Sequence, residues 1–339
     1  GIFLLMLVAV LVVGSETKGA KSWFGVGDFG IQPSEFAKGA TALALAKVLS
    51  SIDADFSKWR TKIASIFVIV VPMLLVFLQN DTGSALVFAS FVFVLFREGL
   101  SAYVLVFGAA LIVLFVSALL IDKYILVAIL FALCLVAWLV IKRKSHRTKV
   151  WLFLVCFLIS SAVVFAVDVV FDKGLEQHQK DRIEVLLGKK EDLKGVGYNV
   201  NQSKIAIGSG GFLGKGFLNG TQTKYNFVPE QDTDFIFCTI GEEWGFIGSS
   251  ITIILFLTLC IRLVKMAERQ RSKFARIYGY GVASIIFFHF FVNIGMTIGL
   301  LPVIGIPLPF ISYGGSSLWA FTLLLFIFIR QDASRLELI

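Results

Sequence analysis

The sequence predicts an all-α polytopic membrane protein, on the strength of its composition and of the length of its apolar runs. Of 339 residues, 57% are apolar and 16% charged, with 34 Phe and a mean hydropathy of +0.86. That balance excludes an ordinary soluble domain. A bilayer-crossing helix needs roughly 20 mostly apolar residues, and apolar runs occupy 1–13, 33–50, 63–78, 84–97, 101–120, 124–141, 150–170, 236–261, 277–299 and 316–329. About ten transmembrane segments in one membrane domain, 1–339, are therefore expected. The first run is short and opens on Gly1 without an initiator Met, so further residues are expected before it. No basic n-region marks it as a signal peptide.

Charge placement orients the segments. The net charge of +8 does not point to nucleic acid, because the basic residues sit in short loops between apolar runs. Lys142, Arg143, Lys144, Arg147 and Lys149 form one cluster; Arg262, Lys265, Arg269, Arg271, Lys273 and Arg276 form another against a single Glu268. Basic loops stay on the cytoplasmic side. Counting crossings, with Arg97-Glu98 as an inner turn, puts residues 14–32, 79–83, 171–233 and 300–315 outside and the C-terminus after Arg330 inside.

Taken in chain order, the outer segments hold the unusual composition. In the first, Trp23 reads as an interfacial anchor. At the start of segment 33–50, Gln32-Pro-Ser-Glu-Phe-Ala-Lys38 puts a proline in the first helical turn and places Glu35 and Lys38 on one face. These two are either a structural ion pair or substrate-binding groups. Residues 171–233 form the one long polar stretch, and a loop of that length is functional or disordered. Its glycine-rich piece, 208–216, can bring backbone amides against a phosphate, with Lys204, Lys215 and Arg182 as cations. Glycine-rich loops also serve simply as turns.

Pro229-Glu-Gln-Asp-Thr-Asp234 then runs straight into an apolar stretch that also carries Glu242 and Glu243. An Asp in a membrane helix costs about 2.5–3.5 kcal/mol on insertion scales, so such a carboxylate faces a wet cavity or a partner. Asp234 is the leading catalytic candidate. One of Glu242 and Glu243, about two helical turns deeper, could share its cavity; the other reading is a buried structural carboxylate bonded to serine, lysine or backbone. Segment 300–315 holds three of the six prolines, and no helix continues through Pro307-Leu-Pro309. Irregular backbone at membrane depth survives only when buried in protein or lining a cavity, so a re-entrant stretch bordering a groove is expected. Ser312 is a ligand-binding candidate there, Ser316 and Ser317 read as helix caps, and His289 reads as an interhelical hydrogen-bonding residue. The four cysteines fall in apolar runs without CxxC spacing and read as packing residues, with no metal site among them.

Gln32-Pro-Ser-Glu-Phe-Ala-Lys38, Gln202-Ser-Lys-Ile-Ala-Ile-Gly-Ser-Gly-Gly211, Gly220-Thr-Gln222, Pro229-Glu-Gln-Asp-Thr-Asp-Phe-Ile-Phe237 and Pro307-Leu-Pro-Phe-Ile-Ser-Tyr-Gly-Gly-Ser316 together resemble the SEDS (shape, elongation, division and sporulation) family. The likeness runs in unbroken order over 1–97 and 150–330, and the Gly-Thr-Gln motif is more similar to the RodA branch than to FtsW. The resemblance implies a peptidoglycan glycosyltransferase that polymerises lipid II on the outer face of the bacterial inner membrane, for cell elongation and shape. It also implies a class B penicillin-binding protein as partner. It implies that the carboxylate at Asp234 is essential, that Glu35 and Lys38 are functional positions near the cavity, and that Trp23 is an important tryptophan; Arg182, Asp81, Lys204 and Ser312 lie in similar motifs. The chain departs from the family pattern after Asp81-Thr-Gly-Ser84, where an additional helix pair, 101–141, intervenes.

For that chemistry one base suffices. Asp234 would take the proton of the acceptor 4-hydroxyl as it attacks the donor anomeric carbon, forming a β-1,4 bond with inversion. The two-carboxylate geometry of glycosidases is not required. Lys204, Lys215 and Arg182, or alternatively a divalent cation such as Mg²⁺ or Mn²⁺, would neutralise the departing pyrophosphate. Two other classes fit the same features: a flippase for a lipid-linked precursor and a non-catalytic scaffold for a transpeptidase.

Overall fold

The computed structural model describes residues 2–17, 20–26, 29–51, 56, 58–144, 150–169, 171, 177–187 and 196–336. Two compact units emerge, one built from 1–100 with 192–339 and the other from 101–191.

In the first unit, α1 (Ile2–Val13) leads into a three-stranded antiparallel sheet, β1 (Ser15–Thr17), β2 (Ala20–Val26) and β3 (Phe29–Ile31), in the order β1-β2-β3. The outer segment 14–32 is thus a small sheet and not an irregular loop, with Phe24 opposite Ile31 and Ser15 opposite Trp23. Helices α2 (Pro33–Ser50) and α3 (Trp59–Phe77) follow. Segment 84–97 is a helix with a tightened middle: α4 (Thr82–Phe88), a 3₁₀ turn at Ala89–Phe91 and α5 (Val92–Arg97).

The second unit contains α6 (Ala102–Leu120), α7 (Lys123–Lys144), α8 (Val150–Val169) and α9 (Gln177–Leu186), with α8 packed against both α6 and α7. Large apolar side chains such as Tyr103, Val106, Ile112 and Tyr124 are exposed on α6 and α7, the pattern of a surface solvated by lipid. The charged run Lys189-Lys-Glu-Asp-Leu-Lys194 lies outside the described residues, as do Arg147 and Lys149 of the first basic cluster.

The first unit resumes with α10 (Val196–Ser209), the short α11 (Thr221–Lys224), α12 (Ile236–Glu268), α13 (Lys273–Thr297) and α14 (Gly315–Ala333). Much of the expected polar loop is therefore helical. The central element is α13, on which almost every residue from Ile277 to Thr297 is buried; α12, α2, α14 and α5 pack around it. Among the described residues, α3, α6, α7, α12 and α13 are long and apolar enough to cross a membrane, and 2–13, 82–97 and 153–167 are shorter apolar helices. The difference from ten has a local cause: α2 carries Glu35, Lys38 and Lys47, and α14 opens on Gly-Ser-Ser and ends on Arg330 and Asp332.

Ion pairs knit one end of this unit. Arg97 pairs with Glu268 and reaches the Tyr280 hydroxyl at 3.2 Å, Arg276 lies 3.4 Å from Glu98, and Arg269 pairs with Asp332. Asp332 lies past the apolar run of α14. Burial alone would raise its carboxyl, but the bonds from Arg269 and Gln270 (2.7 Å) outweigh burial and hold it below the ordinary carboxylate value.

Candidate active site

The opposite end of α13 gathers the motif residues. The turn 229–235 stands immediately before α12, closed by the Thr233 and Phe235 amides donating to the Glu230 carbonyl at 3.1 and 3.0 Å. It lies against the Pro-rich stretch 300–314, which has no regular secondary structure, as Pro302, Pro307 and Pro309 require. Val303, Ile306 and Leu308 on that stretch are buried, so its backbone must find partners in the protein. Side chains supply them. Ser312 Oγ accepts from the Leu308 amide (2.7 Å) and donates to the Thr233 carbonyl (2.6 Å), and the Tyr313 amide donates to the Asp232 carbonyl (2.8 Å). Asn293 Nδ2 donates to the carbonyls of both Asp234 and Ile306, each at 2.8 Å.

Asp234 is half-buried at this junction. Its Oδ2 lies only 3.3 Å from where a side chain on Gly305 would begin, and Gly305 holds φ +70°. A glycine there serves twice, since any other residue would be strained and would crowd the carboxylate.

Two further motifs, 81–84 and 32–38, gather around the same stretch and the start of α14. Gly83 of the Asp81-Thr-Gly-Ser motif abuts the Ile304 carbonyl. Asp81 caps α4 through the Ser84 amide (3.0 Å) and accepts from Gln32 Nε2 (2.8 Å). Ser316 donates to the Gly30 carbonyl (2.8 Å) and accepts from the Gln32 amide (3.3 Å), while Ser317 bonds the Gly314 carbonyl (2.9 Å). Neither serine supplies a side-chain cap to α14, contrary to expectation; Ser316 ties the sheet to the start of α2.

Glu35 and Lys38 pair at 2.8 Å and are 4% and 2% exposed. Lys38 also approaches His289 Nε2 at 2.9 Å, and His289 Nδ1 lies 3.1 Å from the Pro307 carbonyl. His289 is wholly buried and sits edge-on to Phe321, so it bonds between helices as its sequence context suggested. Glu35 Oε2 has no partner among the described residues.

The glycine-rich piece does something other than offer amides to a phosphate. Gly245 breaks α12 with φ +62° and ψ −156°, and the amides of Lys215 and Gly216 take the freed carbonyls of Glu242 and Glu243 at 3.0 and 2.9 Å. In return, Gly211 O accepts from the Phe246 amide at 2.9 Å. Lys215 Nζ is bonded to Glu242 (2.6 Å) and Thr221 (2.7 Å). Glu242, 0% exposed, also accepts from the amides of Gln222 and Thr223, each at 2.9 Å, and from Ser209 at 3.3 Å. It is a structural carboxylate of the expected kind.

The remaining candidates are spread out. Lys204 is exposed on α10, its ammonium beside Gly299 at the end of α13. Trp23 is half-buried in β2 with its ring packed on Gly30, and Arg182 lies on α9 of the second unit. Among the described residues there is no cluster of three or more His, Cys, Asp or Glu side chains suited to a metal ion. All four cysteines are free; Cys238 and Cys260 are buried, and Cys156 is exposed. Asn293 carries no signal in the sequence, because its reach across to two carbonyls depends on the fold.

The sequence profile of the cell cycle protein family FtsW/RodA/SpoVE matches residues 1–128 and 109–336. The chain belongs to this family. Among its curated relatives, the FtsW/RodA/SpoVE chain described here is 36% identical to the peptidoglycan glycosyltransferase MrdB of Escherichia coli K12, over 94% of this chain and 72% of that protein. It is 34% identical to the peptidoglycan glycosyltransferase RodA of Treponema pallidum, over 94% and 78%. Among solved structures, it is similar to a chain of a peptidoglycan synthase complex that coordinates polymerization and crosslinking, with a TM-score of 0.69, 28% identity and coverage of 99% and 80%. It is also similar to the rod shape determining protein RodA of Thermus thermophilus, with a TM-score of 0.59, 25% identity and coverage of 99% and 77%.

Proposed function

We propose that this FtsW/RodA/SpoVE protein is a peptidoglycan glycosyltransferase that polymerises lipid II at the periplasmic face of the bacterial inner membrane, with Asp234 as general base. The observation that carries the reading is the junction at Asp234. A half-buried carboxylate stands where a helix begins, its backbone fixed by Asn293 and its side chain beside an unobstructed glycine. The relatives named peptidoglycan glycosyltransferase support the reaction class.

In the step itself, the Asp234 carboxylate accepts the proton of the acceptor N-acetylglucosamine 4-hydroxyl. The oxygen attacks the donor anomeric carbon, and the bond from that carbon to the pyrophosphate oxygen breaks. Inversion at one carbon gives the β-1,4 linkage, and the proton passes from Asp234 to solvent. The leaving polyprenyl pyrophosphate needs a cation. Lys204 is the candidate in the first unit, because Lys215 is already held by Glu242; Arg182 stands as the candidate of the second unit. The complex that coordinates polymerization and crosslinking supports a transpeptidase of the class B penicillin-binding type as partner.

Detergent-purified protein supplied with labelled lipid II, with moenomycin present to silence other polymerases, tests the reading. Wild type yields polymer, and Asp234→Asn yields none while keeping its thermal unfolding midpoint. A flippase would give no polymer and would only move labelled lipid II across sealed vesicles, a scaffold would give none without its partner, and full yield from Asp234→Asn would remove this residue from the mechanism.

A further inference from the structure

Three consecutive residues of the Pro-rich stretch each have a distinct neighbour. Gly305 faces the Asp234 carboxylate, the Ile306 carbonyl accepts from Asn293, and the Pro307 carbonyl lies against His289. His289 and Asn293 are one turn apart on α13, so they share a face, and both are 0% exposed. The amide of Asn293 spends one proton on Ile306 and the other on Asp234, which fastens the stretch directly to the residue that carries the base.

Lys38 decides what His289 offers. An ammonium has donors only, so His289 Nε2, 2.9 Å away, accepts. The ring proton then sits on Nδ1 and is donated to the Pro307 carbonyl. Glu35, 2.8 Å from Lys38 Nζ, holds that ammonium in place. A substrate could touch Glu35 or Lys38 only by opening this packing, since they are 4% and 2% exposed.

We propose that Glu35, Lys38 and His289, together with Asn293, are positioning residues: they fix the backbone at 305–307 and thereby the Asp234 carboxylate, without touching the substrate. The inference rests on Asp234 being the base. Losing such a contact leaves substrate affinity intact and misplaces the reacting group, and a displacement near 1 Å costs roughly 100-fold in rate.

The test is steady-state polymerisation of lipid II by the purified full chain with Lys38→Met, His289→Ala, their double variant, Asn293→Ala and Gly305→Ala. Each single variant should lower kcat by roughly 10- to 100-fold with KM within about twofold of wild type. The double variant should be no slower than its slower parent, because the two act as one chain. The thermal unfolding midpoint of every variant, read beside its kinetics, separates misfolding from misplacement, and Gly305→Ala, at an exposed glycine beside Asp234, should show the same loss confined to kcat. A rise in KM for Lys38→Met at unchanged kcat, additive losses in the double variant, or wild-type kcat for Gly305→Ala would each overturn the proposal. Activity in Asp234→Asn would instead remove the base and leave the positioning result to be read by itself.

Discussion

Asp234 and Glu242 are eight residues apart on one stretch of chain, and their partners give them opposite duties. Glu242 is fully buried and receives Lys215, two backbone amides and Ser209; Asp234 is half-exposed and stands beside a glycine. Removing the charge at Glu242 leaves an ammonium and two amides facing a weaker acceptor. Breaking a buried pair costs about 3–5 kcal/mol. The lower end applies here, because the Lys215 side chain is 26% exposed. Glu242→Gln should therefore lower the unfolding midpoint of the purified protein sharply while the surviving folded fraction keeps its kcat; the reverse pattern, a normal midpoint with lost kcat, would make Glu242 part of the chemistry. Sequence could nominate both carboxylates, since any acid in an apolar run is conspicuous. It could not assign their partners, because Lys215, Gln222 and Thr223 reach Glu242 only after the glycine-rich turn has docked. The same limit applies to Lys38: its pairing with Glu35 follows from helical spacing, whereas its contact with His289, 251 positions away, does not.

At the scale of elements, apolar runs located the helices well because each helix needs only a local property, length at high hydropathy. Two features escaped that logic. The strands at 15–31 span three, seven and three residues, too short and too glycine-rich to show a period of two. The break in α12 lies inside the run 236–261, and its cause is distant: the carbonyls of Glu242 and Glu243 can leave the helix because the Lys215 and Gly216 amides donate to them instead. Gly245 makes the break possible, with φ +62° and only 2.3 Å between a would-be Cβ and the Gly214 amide nitrogen. Gly245→Ala must distort that backbone or expel the turn, at roughly 1–3 kcal/mol for the strained conformation alone. The expected result is faster protease cleavage within 208–219 and a lower unfolding midpoint, both measurable on purified protein. Unchanged cleavage would mean that the break tolerates a side chain and that the turn is held by other contacts.

For the first unit as a whole, α13 serves as a ruler. Arg276, near its start, belongs with Arg97, Glu98, Glu268 and Tyr280, whereas Asn293, near its other end, touches Asp234 and Ile306. Seventeen residues of helix span about 25 Å, close to the roughly 30 Å of a bilayer hydrocarbon core. The ion-paired end and the motif end therefore lie at opposite membrane faces. The ion-paired end also carries Arg262, Lys265, Arg269, Arg271 and Lys273, and on the proposed reading this excess of basic residues keeps that end in the cytoplasm and turns Asp234 toward the periplasm. Single cysteines at the exposed positions Lys224 and Arg271, in a background with the four native cysteines replaced by serine or alanine, report the orientation. A membrane-impermeant thiol reagent should label Lys224→Cys in spheroplasts and Arg271→Cys only after permeabilisation. The opposite labelling would put Asp234 on the cytoplasmic face, where a polymer made at this site would be on the wrong side of the membrane to join the wall.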